Sequence, residues 1–154
     1  MKAHVDEESV IKANAQFWEQ MLMMTLAPVV RADQFCVGAG HALGYVDLHG
    51  NWKGRIEVRM TGGLAQQATA AMLMMPVESV AEADTLDATK EIANMIAGTI
   101  KSSLPRPCSM TVPESAFEPD HYCEAPQKED SIAVAFRHDS GDLLVRIHEE
   151  ECIC

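Results

Sequence analysis

The chain has 154 residues, 47% of them hydrophobic, and a formal net charge of −11, which is material for one domain with a real core over residues 1–154. That charge leaves no lysine-rich stripe to offset phosphate repulsion, so it argues against nucleic acid and against an acidic membrane surface. No apolar run approaches the roughly 20 residues that span a bilayer, and the polar, soon acidic start Met1-Lys-Ala-His-Val-Asp-Glu-Glu is no signal peptide, so the chain reads as cytoplasmic.

Asp6 to about Leu26 reads as the first helix, with Asp6 as N-cap, Glu7 and Glu8 in the first turn, and Pro28 as the stop. Val10, Phe17, Met21 and Met24 recur at helical spacing, with Ile11, Trp18 and Leu22 widening the arc, so its methionines read as core filler. Residues 29–40 form a connection with a short strand at Gln34–Val37. His41–Leu48 and Trp52–Met60 then alternate as strands about His49-Gly50-Asn51, a tight-turn signal for a hairpin. In its second strand Ile56, Val58 and Met60 oppose Arg55, Glu57 and Arg59, the pattern of an antiparallel sheet half-covered by helices.

Leu64–Met75 is the second helix, with Thr61 as N-cap and Pro76 as its stop. Gly62-Gly63 lacks the rest of any phosphate-loop pattern. After an acidic linker over 76–84, a third helix begins near Ala83–Asp87 and runs to Pro105. Prolines punctuate the stretch to Asp130, with short strands at Cys108–Val112 and His121–Glu124. Ser131–Arg137 and Asp142–Ile147 flank His138-Asp-Ser-Gly141 as a last hairpin. Five cysteines, at 36, 108, 123, 152 and 154, form no regular framework and read as free thiols, with Cys36 and Cys108 as small core residues. Neither Cys152-Ile-Cys154 nor His121 with Cys123 supplies a metal-ligand set, so no metal site is expected.

The third helix divides into two faces. Ile92, Ile96, Ile100 and Leu104, flanked by Ala88, Ala93, Met95 and Ala97, form a wide apolar stripe. Asp87, Glu91, Asn94, Gly98 and Lys101 share the other side. A mid-helix glycine costs about 1 kcal/mol against alanine, so Gly98 points to something approaching the backbone closely there.

The spacing Asp-x3-Glu-x2-Asn-x3-Gly, with Ile-Ala-Asn-Met-Ile-Ala-Gly at 92–98, resembles the signature of the CheC/CheX/FliY family of chemotaxis phosphatases. The element order, a Gly-containing hairpin before the second helix and Thr-Val-Pro at 111–113 are similar to that family as well. The resemblance implies an α/β (α+β) fold of CheC-like type, an antiparallel-rich sheet covered by helices on one face. CheC-type relatives carry a second copy of the motif on the first helix. Here Asn14 is present, but Ile11 stands three residues before it, so the chain resembles the single-site, homodimeric CheX branch.

The resemblance also implies the chemistry. The substrate would be a phosphorylated CheY-like response regulator, which holds its phosphoryl group on an aspartate beside Mg²⁺ and a lysine. Asn94 and Glu91 would be the catalytic pair: the carboxamide accepts from and donates around an in-line water, and Glu91 pairs with the regulator's lysine. Asp87, as a cap or rim contact, Gly98 and Lys101 would bind the partner. The chain would need no cofactor of its own, the Mg²⁺ coming from the regulator. Two rival readings are a non-catalytic adaptor that binds a regulator or a flagellar-switch component, and a Cys/His metal or redox protein.

Overall fold

The computed structural model describes residues 5–29, 32, 35–124 and 131–150. In chain order the elements are α1 (Glu7–Leu22), β1 (Ala27–Pro28), β2 (Cys36–Val37), β3 (Ala42–Gly50), β4 (Gly54–Met60), α2 (Gly62–Leu73), a 3-10 turn (Val77–Ser79) and α3 (Glu82–Lys101). There follow β5 (Cys108–Met110), β6 (Glu114–Phe117), β7 (Tyr122–Cys123), β8 (Ser131–His138) and β9 (Gly141–Glu149). This is the expected α+β arrangement. The main sheet has the order β1-β8-β9-β4-β3-β5, with β6 also on β3, and every pairing is antiparallel.

The two-residue period decides which face is covered. Ile56, Val58 and Met60 of β4 and Leu143, Val145 and Ile147 of β9 are buried beneath the helices, each burial contributing about 1.5–3 kcal/mol. Arg55, Glu57 and Arg59 project from the other face, as the alternation predicts. That face is not bare. Ala32, Phe35 and Val37 form a second small core over Ala133, Ala135 and Leu144. No helix among the described residues is long and apolar enough to cross a membrane.

Helix ends depart from the expected ones. Asp6 does cap α1, accepting from the Ser9 N–H at 2.8 Å. The helix stops at Leu22 rather than Leu26, because Met23 turns left-handed (φ 54°) and the Met24 N–H closes on the Trp18 carbonyl at 3.0 Å. Pro28 lies in β1 and ends nothing. Likewise Met74 (φ 53°) closes α2 before Pro76 is reached. Thr61 makes no capping bond: its hydroxyl accepts from the Asp142 N–H at 2.9 Å, tying α2 to the last hairpin. Helix α3 ends at Lys101, well before Pro105.

Two further corrections concern strands. The central hairpin does not turn at Gly50-Asn51. Its last pair is Leu48 with Gly54, and Gly50 (φ 121°) continues β3 onto Cys108 of β5. β6 lies in the proline-punctuated stretch between the two expected short strands, and it pairs with β3 from Ala42↔Phe117 to Tyr45↔Glu114. Cys36 and Cys123 are not free thiols, and Cys36 is exposed rather than core. They face each other across β2 and β7 and form a disulfide. Cys108 is free and buried, as expected. Cys152 and Cys154 lie outside the described residues.

One buried titratable group sits where the two faces meet. His41 is 1% exposed; its Nδ1 is 2.8 Å from the Gly38 carbonyl and its Nε2 2.9 Å from a guanidinium nitrogen of Arg59. Nδ1–H must donate to the carbonyl, leaving Nε2 to accept from Arg59, so the ring is neutral. Burial, chiefly, and Arg59 beside it hold its pKa below the ordinary 6.5. Below that value the unfolded chain takes up a proton that the folded chain refuses, so the stabilisation is present above pH 6.5 and lost as pH falls towards the lower folded value. Unfolding midpoints in urea are expected to drop between roughly pH 7 and pH 5. His41→Gln should flatten that dependence; an unchanged slope would show that His41 does not set it.

Candidate functional site

Helix α3 carries all five candidate residues, and its seat on the sheet positions them. Asp84 closes the helix start, its carboxylate accepting from the Ala81 N–H at 3.1 Å. Asp87, in the second turn, is therefore no cap. Ile92, Ala93, Ile96, Ala97 and Ile100 are buried against the sheet and neighbouring helices. The helix lies close because β3 offers a glycine. A Cβ on Gly44 would stand 2.7 Å from the Thr89 carbonyl and 3.1 Å from the Ala93 Cβ. The Ser115 hydroxyl of β6 donates to the Leu86 carbonyl at 2.8 Å and fixes the N-terminal half.

With the apolar stripe held down, the opposite strip faces outward. Asp87, Glu91 and Gly98 are exposed, and Asn94 and Lys101 half-buried. Among the described residues, no hydrogen bond or ion pair engages the side chains of Asp87, Glu91, Asn94 or Lys101. A carboxylate and a carboxamide one turn apart thus stand ready for an outside partner. Gly98 differs from Gly44: nothing lies within 4 Å of a Cβ built on it. The fold itself has no need of that glycine.

Asn14, the matching residue on α1, has the opposite environment. It is wholly buried, its Nδ2 donates to the Val10 carbonyl at 3.0 Å, and its Oδ1 has no partner among the described residues. It cannot meet an external substrate.

Two features of the surroundings escaped the sequence reading. Lys90 is half-buried on the Asn94 side of the strip, and its position four residues before Asn94 was the available signal. Beyond Gly98, a groove of about 260 Å³ runs between α3 and α1, lined by Ser9, Lys12 and Gln16 opposite Thr99 and Ser102. No spacing within α3 could have announced a groove whose other wall is α1. Among the described residues, no three His, Cys, Asp or Glu side chains gather so as to hold a metal ion.

Comparison with known proteins places this helix in a family. The family model described as chemotaxis phosphatase CheX matches residues 42–137, from β3 through the whole of α3 into β8. The chain belongs to the CheX family. No curated protein sequence matches it significantly. Solved structures share the fold at low identity. The CheX chemotaxis protein of Vibrio vulnificus is 19% identical with a TM-score of 0.76, covering 97% of this chain and 100% of that one. A CheC-like superfamily protein from Shewanella sp. PV-4 is 21% identical with a TM-score of 0.77, covering 98% and 100%. CheX of Borrelia burgdorferi, solved in complex with CheY, beryllium trifluoride and magnesium, is 17% identical with a TM-score of 0.65, covering 94% and 97%.

The two glycines of this CheX-type site give opposite expectations. Gly44→Ala forces α3 off its seat and should destabilise the fold by about 1–3 kcal/mol. Gly98→Ala meets open space and should stabilise the helix by roughly 0.5–1 kcal/mol. Urea unfolding of both variants decides it, and changes of the same sign would refute the distinction.

Proposed function

We infer that this chain is a phosphatase of a phosphorylated CheY-like response regulator, and that Asn94 positions the water that cleaves the regulator's aspartyl phosphate. The observation that carries this reading is the pairing of Glu91 and Asn94 on an outward strip of α3, without partners among the described residues, in a chain of the CheX family. The solved CheX–CheY complex of a distant relative supports the choice of partner.

The reaction breaks the bond between phosphorus and the regulator's carboxylate oxygen while a water oxygen bonds to phosphorus from the opposite side. Phosphate leaves and the aspartate is restored. The transition state is loose, so placement of the water and compensation of charge do most of the catalysis. The Asn94 carbonyl oxygen accepts a proton-bearing edge of the water while its NH₂ donates to the phosphoryl oxygens. Glu91 pairs with the regulator's lysine and fixes the helix in register. Gly98 lets the partner's backbone approach, and Asp87 and Lys101 make contacts at the rim. The divalent ion the chemistry needs is Mg²⁺ held by the regulator, and the cytoplasm is where such a partner would be met.

Phosphate release from an acyl-phosphorylated CheY-like domain tests the reading. Asn94→Ala should lower the rate by on the order of 10²-fold or more while partner binding persists. Glu91→Ala should weaken binding and turnover together. Wild-type chain that binds the regulator without releasing phosphate would make it an adaptor instead.

The same reading includes a symmetric homodimer formed at a sheet edge, which leaves each Glu91/Asn94 strip open to one regulator. The central hairpin cannot supply that edge. β4 is paired with β9, and β3 with β5 and β6. The outer sides of β5 and β6, or the β1–β8 side, are what the fold offers. Sedimentation equilibrium at micromolar concentration should give twice the 16.9 kDa chain mass; a monomer alone would exclude the dimer.

A further inference from the structure

Lys90 lies near the middle of α3, between Asp87 and Asn94, and is half-buried. Among the described residues nothing accounts for its charge. Asp87 stands three residues before it, at the spacing of a helical ion pair. Even so, no described residue makes an ion pair or hydrogen bond with the Lys90 ammonium. The helix dipole gives no reason for it either. The C-terminal carbonyls are about three turns away, and Lys101 already stands beside them. A half-buried lysine of this kind covers its stem and leaves its ammonium free.

Helical geometry puts that free charge beside Asn94. At about 100° and 1.5 Å per residue, Lys90 and Glu91 both lie about one turn before it. Lys90 is about 40° to one side and Glu91 about 60° to the other, so the two straddle the carboxamide. Residues at the i, i+4 spacing have Cβ atoms about 5–6 Å apart, a gap that a flexible four-carbon stem spans. An atom held over the helix by Asn94 is therefore within reach of a carboxylate on one flank and an ammonium on the other. Lys101 is not equivalent. Seven residues beyond Asn94, it is about 10 Å further along the axis and belongs to the rim.

We propose that Lys90 is a third catalytic residue of this site, an ammonium that contacts the phosphoryl and leaving oxygens while Asn94 holds the water. The inference rests on the phosphatase reading. In that reading Glu91 takes the regulator's lysine, and the phosphoryl group loses a positive charge that it has at rest. Lys90, on the opposite flank of Asn94, returns one. As water adds to phosphorus, the bond from phosphorus to the aspartate oxygen breaks, and its electron pair stays with the carboxylate. Both water protons end on the released phosphate as H₂PO₄⁻. Lys90 keeps its own proton throughout and acts through its charge alone. A cation aimed where charge gathers during bond breaking speeds the chemical step more than it tightens the resting complex.

The test is phosphate release from a saturating acyl-phosphorylated CheY-like domain, with affinity for the unphosphorylated domain measured in parallel by fluorescence anisotropy. Lys90→Met should lower kcat by about tenfold or more and leave that affinity unchanged. Lys90→Arg keeps the charge and should retain most of the rate. Lys53→Met removes an equal charge from the turn between β3 and β4, where Lys53 pairs with Glu150 at 3.4 Å, and should change neither quantity. Lys90→Met at the wild-type rate overturns the proposal. So does a loss of rate matched by an equal loss of affinity for the unphosphorylated domain, which makes Lys90 a docking cation. An equal loss in Lys90→Arg also overturns it, because charge is then not what the site uses. Release that does not depend on Asn94 fails the phosphatase reading and this inference together. A rate that depends on Asn94 and not on Lys90 fails this inference alone.

Discussion

Everything at the candidate site depends on how closely α3 lies against β3. The helix rests where Gly44 has no side chain, with the Thr89 carbonyl and the Ala93 methyl occupying the space a Cβ would need. Small residues repeat on the helix side, Ala88, Ala93 and Ala97, between the isoleucines that fill the core. A close seat has a functional corollary. The buried stripe fixes the rotation of the helix, and a helix that cannot roll holds Asn94 and Glu91 at a constant angle to the surface. For the reaction proposed above, in which placement does most of the work, that rigidity is what the site would need most.

Two asparagines show how environment, not residue type, assigns the role. Asn14 and Asn94 occupy corresponding places on two helices. One spends its amide nitrogen on its own helix and leaves its oxygen buried without a partner, at a cost of about 1–3 kcal/mol. The other is half-exposed and uncommitted. The missing acid before Asn14, where Ile11 packs against the core instead, removes the solvent-facing strip that a second site would need. On the proposed reading the chain therefore has one working strip, and a regulator would approach from the α3 side.

How far this was legible depended on the range of the interactions. The site lay on one helix, where spacings of three and four residues map directly onto a face, so Asp87, Glu91, Asn94, Gly98 and Lys101 were legible together. The alternation in β4 and β9 was equally local. What escaped was set by distant partners. β3 runs past its expected turn because Gly50 meets Cys108, and β6 exists because β3 offers it an edge. Cys36 finds Cys123 across a separation of 87 residues. Helix ends escaped for another reason: Pro28 and Pro76 read as the stops, whereas the left-handed Met23 and Met74 close α1 and α2 before them.

The charges divide along the same line as the two faces. On the outer sheet face, arginines are held within the chain: Arg55 forks onto Asp47, Arg59 lies by Glu57 and over the Tyr122 ring, and Arg146 meets Glu124. Planar guanidinium groups suit such fixed, bidentate and stacked contacts. Around the α3 strip the cations are lysines, Lys12, Lys90 and Lys101, and none of them has an ion-pair partner among the described residues. Lys101 also complements the helix C-terminus, which by itself would account for its place. Lys12 and Lys90 have no such local reason. In a chain of net charge −11, Lys90 and Lys101 on α3 and Lys12 across the groove attract an anionic partner to that side, against Asp87 and Glu91 on the same strip. A phosphorylated acidic pocket is such a partner. The long-range part of that attraction falls within about 8–10 Å at physiological salt, so it orients the last step of docking rather than steering from afar. On the proposed reading, specificity then comes from the short-range fit of Glu91, Asn94 and the bare backbone at Gly98.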